Sequence, residues 1–189
     1  MKDRNRSIEQ ITERAWKSAW RAEQADRHWT ALDYILEGLE ADPVCYELLV
    51  YAGELLNTAW EDMGLCDKES AERAIPYFDR AIAAKPEMAE AYICKALALN
   101  DLERPEQALA ILEVGGDLYE QWPNTDVYPA VRVNIGESLY NHRVVALLQL
   151  RRTDEARQVL NEGLRRFPES TYLTELTERF LPPELTGGV

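Results

Sequence analysis

The sequence has few cysteines, few histidines, a deficit of positive charge and no long apolar run, and each shortage excludes a class of protein. The three cysteines, Cys45, Cys66 and Cys94, lie too far apart for a zinc or redox CxxC motif. Lys and Arg number 21 against 34 Asp and Glu, for a net charge of −13, whereas nucleic-acid binding requires clustered positive charge. No apolar run reaches the length of a membrane span, and no apolar segment typical of a secretory signal follows the first basic residues. We therefore expect no nucleic acid, no membrane association, a reducing environment and a cytoplasmic location.

Motifs for catalysis, cofactors and metals are also missing. Neither GxGxxG nor GxxxxGK[ST] occurs. His28 and His142 share no sequence context, and a lone histidine is usually a surface or satisfied residue. The acidic loop with Asp62, Asp67 and Glu69 does not fit the EF-hand pattern. The sequence therefore predicts no enzyme, no cofactor and no bound metal.

Apolar residues recur at helical spacing along nearly the whole chain, and 46% of its residues are hydrophobic. This spacing predicts nine helices, beginning near residues 7, 29, 44, 70, 88, 105, 130, 153 and 170. Ser7, Ser70 and Thr153 are expected to cap three of them. Gly115 and Gly116 could end the sixth helix, but its apolar period continues to Trp122, which favours one continuous helix. A linker is expected over residues 124–129.

One stripe occurs four times: alanine, a bulky apolar residue four positions later, and a small residue three positions after that. In three copies a proline follows the stripe by five positions, where a helix must stop. Small residues let two helices approach closely, so the stripe predicts tight helix–helix packing. The four sets are Ala31/Ile35/Gly38, Ala74/Phe78/Ala81, Ala108/Leu112/Gly115 and Ala156/Leu160/Gly163, and the three prolines are Pro43, Pro86 and Pro168.

The stripe, its closing proline and the 34-residue step from Ala74 to Ala108 resemble the tetratricopeptide repeat, although the first-helix half of that pattern is weaker here. The resemblance implies an all-α, right-handed superhelix (solenoid) of about four helix pairs with a C-terminal capping helix. It implies one domain over residues 1–183, with repeats at about 8–43, 44–86, 87–123 and 130–168, a capping helix at 170–180 and a frayed tail at 184–189.

Proteins of this family bind peptide segments in a concave groove lined by the first helix of each pair. Aligning the chain on its stripes places aromatic, acidic and apolar residues in that groove, which suits a basic or amphipathic segment of another protein. An equally weighted alternative is that Trp16 and Trp20 are buried in the core. The expected groove residues are Trp16, Trp20, Glu47, Tyr51, Glu54, Glu90, Ile93, Asn141 and Val145.

The leading hypothesis is an adaptor or assembly factor that binds such a segment. The first alternative is a dedicated chaperone, since the bacterial type III secretion chaperones of this family resemble the chain in size, charge and repeat content. The second is a self-assembling oligomer, such as a homodimer, because arginines gather near both ends and the middle is acidic. Family members that clamp an acidic C-terminus line the groove with Lys, Arg and Asn, whereas the matching positions here are mostly Trp, Glu, Tyr and Val, so such a clamp is not expected.

Overall fold

The computed structural model describes residues 2–59, 63–65, 67–121 and 134–180, and within them all regular structure is α-helical. The predicted all-α solenoid of helix pairs is confirmed. The described helices are α1 (Lys2–Glu23), α2 (His28–Ala41), α3 (Tyr46–Thr58), α4 (Asp67–Ala84), α5 (Ala89–Asp101), α6 (Pro105–Gln121), α7 (Ile135–Gln149), α8 (Thr153–Arg166) and α9 (Thr171–Phe180).

The helices pack as successive pairs, α1 with α2, α3 with α4, α5 with α6 and α7 with α8. Each pair also contacts the next, and the odd-numbered helices α3, α5, α7 and α9 touch one another in order. Every member of the four predicted stripes is buried. The stripes lie on the even-numbered helices, and each faces a partner helix, as where Phe78 of α4 lies against Gly53 of α3. The expectation of close helix packing is confirmed.

The turns inside the pairs share one backbone geometry. After α1, α5 and α7 the chain passes through a residue with positive φ, namely Asp26 (53°), Glu103 (56°) and Arg151 (58°). The next amide donates to a carbonyl five residues back, as Arg152 N does to Leu147 O at 2.9 Å. This is the Schellman pattern that ends helices. The same turn therefore joins the two helices in three of the four pairs.

The turns between pairs contain the predicted prolines. Pro43, Pro86 and Pro168 each occupy the second position of a four-residue turn closed by a hydrogen bond, as from Met88 N to Lys85 O at 3.2 Å. Proline suits this position because its ring fixes φ near the value that the turn requires. The prolines therefore separate one helix pair from the next.

The three predicted helix caps were wrong, whereas the prediction that α6 is one continuous helix is confirmed. α1 begins at Lys2, well before Ser7, and Thr153 is the first residue of α8, whose capping position is held by Arg152 without a side-chain hydrogen bond. Ser70 lies inside α4, where its buried hydroxyl donates to the carbonyl of Leu56 in the paired helix. α6 runs unbroken through Gly115 and Gly116, as predicted.

Several predictions fall outside the described residues. These are Asp62 of the acidic loop, Cys66, the linker at 124–129, the predicted start of the seventh helix at 130 and the tail at 184–189. None of the described helices combines the length and the apolar character needed to cross a lipid bilayer.

Candidate functional site

A cavity of about 520 Å³ lies where the odd-numbered helices meet. It receives side chains from the end of α1, from α3, α5 and α7, and from Tyr172 of α9. Phe78 of α4 forms part of the wall, together with aliphatic residues of α3 and α5. Its polar lining residues are Glu23, His28, Tyr51, Glu54, Asn57, Thr58, Cys94, Ser138, Asn141, His142 and Tyr172.

Two acceptor atoms in this cavity are buried and lack a donor. Asn57 is 6% exposed, and its Nδ2 donates to Asp101 Oδ2 at 3.3 Å. That bond leaves Oδ1 without a partner among the described residues. Glu54 stands three residues earlier on α3, so both side chains share one helix face. Its Oε1 accepts from the Cys94 thiol at 3.3 Å, and its buried Oε2 has no partner in the described part of the chain.

Burial shifts the protonation of the acidic groups in and beside the cavity. Desolvation, with the nearby Glu90 as the next cause, raises the pKa of Glu54 to about 8. Desolvation also raises the pKa of Glu90 to about 7, against the effect of the Tyr46 hydroxyl that donates to it at 3.3 Å. The same cause lowers the pKa of His142 to about 4, so this imidazole is neutral at pH 7. These carboxyl groups therefore acquire full charge only in alkaline solution or beside a cation.

Glu23 adds a second carboxyl group to the cavity lining, at the last turn of α1. The Tyr51 hydroxyl donates to its Oε2 at 2.6 Å. None of the described lining residues is Lys or Arg. Among the described residues there is also no cluster of three or more His, Cys, Asp and Glu side chains arranged to hold a metal ion. The cavity therefore offers hydrogen-bond acceptors and lacks a fixed cation.

A second cavity, of about 530 Å³, lies between α1 and the beginning of α3. Trp16 and Glu47 line it. The Trp16 and Trp20 rings stack with centroids 6.0 Å apart, and Trp16 also lies 6.1 Å from the Tyr51 ring. Both tryptophans are half-buried, so each takes part in the packing while keeping an exposed edge. Lys85 Nζ donates to Glu47 Oε1 at 2.7 Å, so Glu47 already has a cationic partner.

The predicted groove residues therefore separate into three groups. Tyr51, Glu54, Ile93 and Asn141 line the larger cavity, and Trp16 and Glu47 line the second. Trp20, Glu90 and Val145 line neither, and Glu90 is almost fully buried at 3% exposure.

Sequence reasoning missed Glu23, Asn57, His142 and Tyr172. His28 and His142 were judged unrelated, yet the fold brings both to the larger cavity. Phe78 of the second stripe lines the same cavity in addition to packing against Gly53. Asn57 had a usable signal, because it follows Glu54 by three positions on a predicted groove helix. Tyr172 had none, because its helix was interpreted only as a cap.

Comparison with known proteins finds one family model and several solved structures that are similar to this chain. Residues 67–116 match the family model described as "Tetratricopeptide repeat". No curated protein sequence matches the chain. A solved structure titled "Crystal structure of MamA protein" aligns over 92% of this chain and 97% of its own, at 17% identity and a TM-score of 0.40. Another, "MamA 41-end from Desulfovibrio magneticus RS-1", aligns over 85% of this chain and 98% of its own, at 14% identity and a TM-score of 0.41.

The matched segment 67–116 spans α4, α5 and most of α6, and so includes the second and third stripes. The helix pairs on either side repeat the same stripe, the same Schellman turn or the same proline turn. Repeats of the family matched by residues 67–116 generally serve as scaffolds for protein–protein interaction or assembly. Over residues 67–116 the chain is therefore similar to the tetratricopeptide repeat.

Proposed function

We propose that the protein binds a basic, partly apolar segment of another protein in the groove formed by its odd-numbered helices. One observation carries the proposal: the larger cavity combines three acidic or amide groups, on Glu23, Glu54 and Asn57, with apolar walls and no Lys or Arg among its described lining residues. A cation entering there meets the unpaired acceptors Glu54 Oε2 and Asn57 Oδ1, and the hydrocarbon part of its side chain meets Leu and Phe.

The raised pKa of Glu54 also supports binding of a cationic segment. A cationic side chain beside Glu54 lowers the carboxyl pKa and supplies the missing donor, so binding and ionisation favour each other. An acidic segment would instead add like charge to Glu23, Glu54 and Glu90. The groove therefore discriminates by charge as well as by shape.

The proposed binding groove is the larger cavity alone, which is smaller than the groove predicted from the sequence. Charge reversal at Glu47 would break its ion pair with Lys85, and at Glu90 it would bury a lysine beside Tyr46. Glu23 and Glu54 are better targets, because glutamine keeps their shape and one acceptor oxygen. Glu113, exposed on α6 and far from the cavity lining, provides a matched control.

Selection from a display library of random peptides on the purified protein at pH 8.5 tests the proposal. We expect enrichment of Lys or Arg flanked by apolar residues. The affinity of the selected peptides should fall about tenfold or more in a Glu23→Gln, Glu54→Gln double variant, since losing buried charge partners typically costs more than 1.4 kcal/mol. Glu113→Gln should bind them as the parent protein does. Enrichment of acidic peptides, or equal affinity for the double variant, would contradict the proposal.

The dedicated chaperone and the self-assembling oligomer stay as alternatives. No specific feature of the described residues favours either over a peptide-binding adaptor. A cytoplasmic location likewise stays a prediction, as do the repeat boundaries.

A further inference from the structure

We propose that the larger cavity is an arginine pocket, in which Glu54 and Asn57 bind the guanidinium group of one arginine side chain from the partner protein. This inference rests on the proposed function and names the side chain that the groove selects.

The first step is the number and kind of unpaired groups. Asn57 Oδ1 and Glu54 Oε2 are buried acceptors without donors among the described residues, and the Asn57 side chain is more than nine-tenths buried. The bond from Asn57 Nδ2 to Asp101 fixes which end of the amide faces the cavity. Buried polar groups are nearly always paired, so two orphan acceptors on one helix face indicate a ligand that donates hydrogen bonds.

The second step concerns the other polar groups of the pocket. His142 is 8% exposed and lines the same cavity. Because it is neutral at pH 7, one of its ring nitrogens is a further acceptor. Glu23 brings another carboxylate from α1. The acceptor groups lie on α1, α3 and α7. The ligand must therefore supply several hydrogen-bond donors that point in different directions.

The third step distinguishes arginine from lysine. A guanidinium group has five N–H donors in one plane, whereas an ammonium group is a compact charge with three. A flat cation also stacks on an aromatic ring, and Tyr172 of α9 lines the cavity with 48% of its surface exposed. The aliphatic wall, which includes Leu55, Ile93 and Leu97, suits the three methylene groups of an arginine side chain.

Titrations of the isotope-labelled protein with N-acetyl-arginine amide, followed by NMR at pH 8.5, test the pocket without any selected peptide. N-acetyl-citrulline amide, which has nearly the same shape and no charge, and N-acetyl-lysine amide serve as comparison ligands. We expect the arginine amide to shift the side-chain amide signals of Asn57 and the ring signals of Tyr172. It should bind at least about tenfold more tightly than either comparison ligand, a difference of about 1.4 kcal/mol.

The Glu54→Gln variant should bind the arginine amide about tenfold more weakly than the parent protein, and Glu113→Gln should bind it equally well. The same NMR spectra report whether each variant is folded. Equal binding of lysine amide, or no shift at Asn57, would overturn the arginine assignment. If basic peptides are selected but the arginine amide leaves Asn57 unmoved, the pocket fails and the proposed function stands. If the arginine amide binds but no basic peptide is selected, the proposed function fails instead.

Discussion

At the scale of single residues, the groove is chemically unusual because its acidic groups are buried before any partner arrives. Glu54 contacts the Cys94 thiol and lies near Glu90. Its carboxyl group is therefore shielded from solvent, and the strongest charge acting on it has the same sign. Neither feature can be read from the sequence, which shows only a glutamate on a helix. Burial of a given carboxyl oxygen depends on how α3, α5 and α7 meet, and those helices are distant in the chain.

The raised pKa of Glu54 predicts a pH-dependent stability. Its carboxyl group titrates near 4.5 when unfolded and near 8 in the folded protein. Between these values the folded state holds the extra proton, so the free energy of unfolding decreases as pH rises through this range. Glu54→Gln removes this contribution. The variant should therefore be more stable than the parent at pH 8.5 and about equally stable at pH 5, as measured by urea unfolding midpoints.

Glu113→Gln is the control for this comparison, and its stability should follow the parent protein at both pH values. A Glu54→Gln variant whose advantage is the same at pH 5 and pH 8.5 would show that Glu54 carries its charge in the folded protein at both.

At the scale of helices, the small residues of the repeat are required by contact distances. A Cβ atom added to Gly53 of α3 would lie 2.5 Å from Phe78 Cε1 of α4. At Gly116 of α6 the nearest atom would be Arg143 Nη2 at 3.5 Å, which is ordinary van der Waals contact. A larger side chain at Gly53 would therefore clash with the neighbouring helix, whereas Gly116 has room for one.

Alanine substitution separates these roles. Gly53→Ala should destabilise the protein by about 1–3 kcal/mol, because the Phe78 ring must move in a closely packed interface. Gly116→Ala should stabilise it by up to about 1 kcal/mol, because alanine is the better helix former. Thermal or urea unfolding of both variants measures the difference. Stabilisation of similar size in both would contradict the proposed contact between Gly53 and Phe78.

The sequence predicted the helices well and their caps poorly, for one reason. Stripes such as Ala74/Phe78/Ala81 record contacts inside a helix pair, which are local and recur in each repeat. Ser70 was interpreted as a cap from local pattern alone, yet its hydroxyl serves a contact with Leu56, fourteen residues earlier. A local rule fails where a side chain is used by a tertiary contact.

At the scale of the whole molecule, stacked helix pairs bring the odd-numbered helices into a continuous surface with a cavity at its centre. The sequence predicted which helices form this surface, because the stripes assign the others to packing. It predicted only part of the cavity: Tyr51, Glu54, Ile93 and Asn141 line it, while Asn57, His142 and Tyr172 were missed. Which residues meet across three or four repeats depends on the angle between pairs, and no local pattern records that angle.

The central claim is that a basic segment binds on the odd-numbered helices. NMR mapping of the protein with a peptide selected on it tests this claim most directly, since the backbone signals report where the peptide lies. The account predicts the largest changes around Glu54 and Asn57 of α3 and Asn141 of α7, with loss of these changes in the Glu23→Gln, Glu54→Gln double variant. Changes confined to the outer faces of α4, α6 and α8 would contradict it.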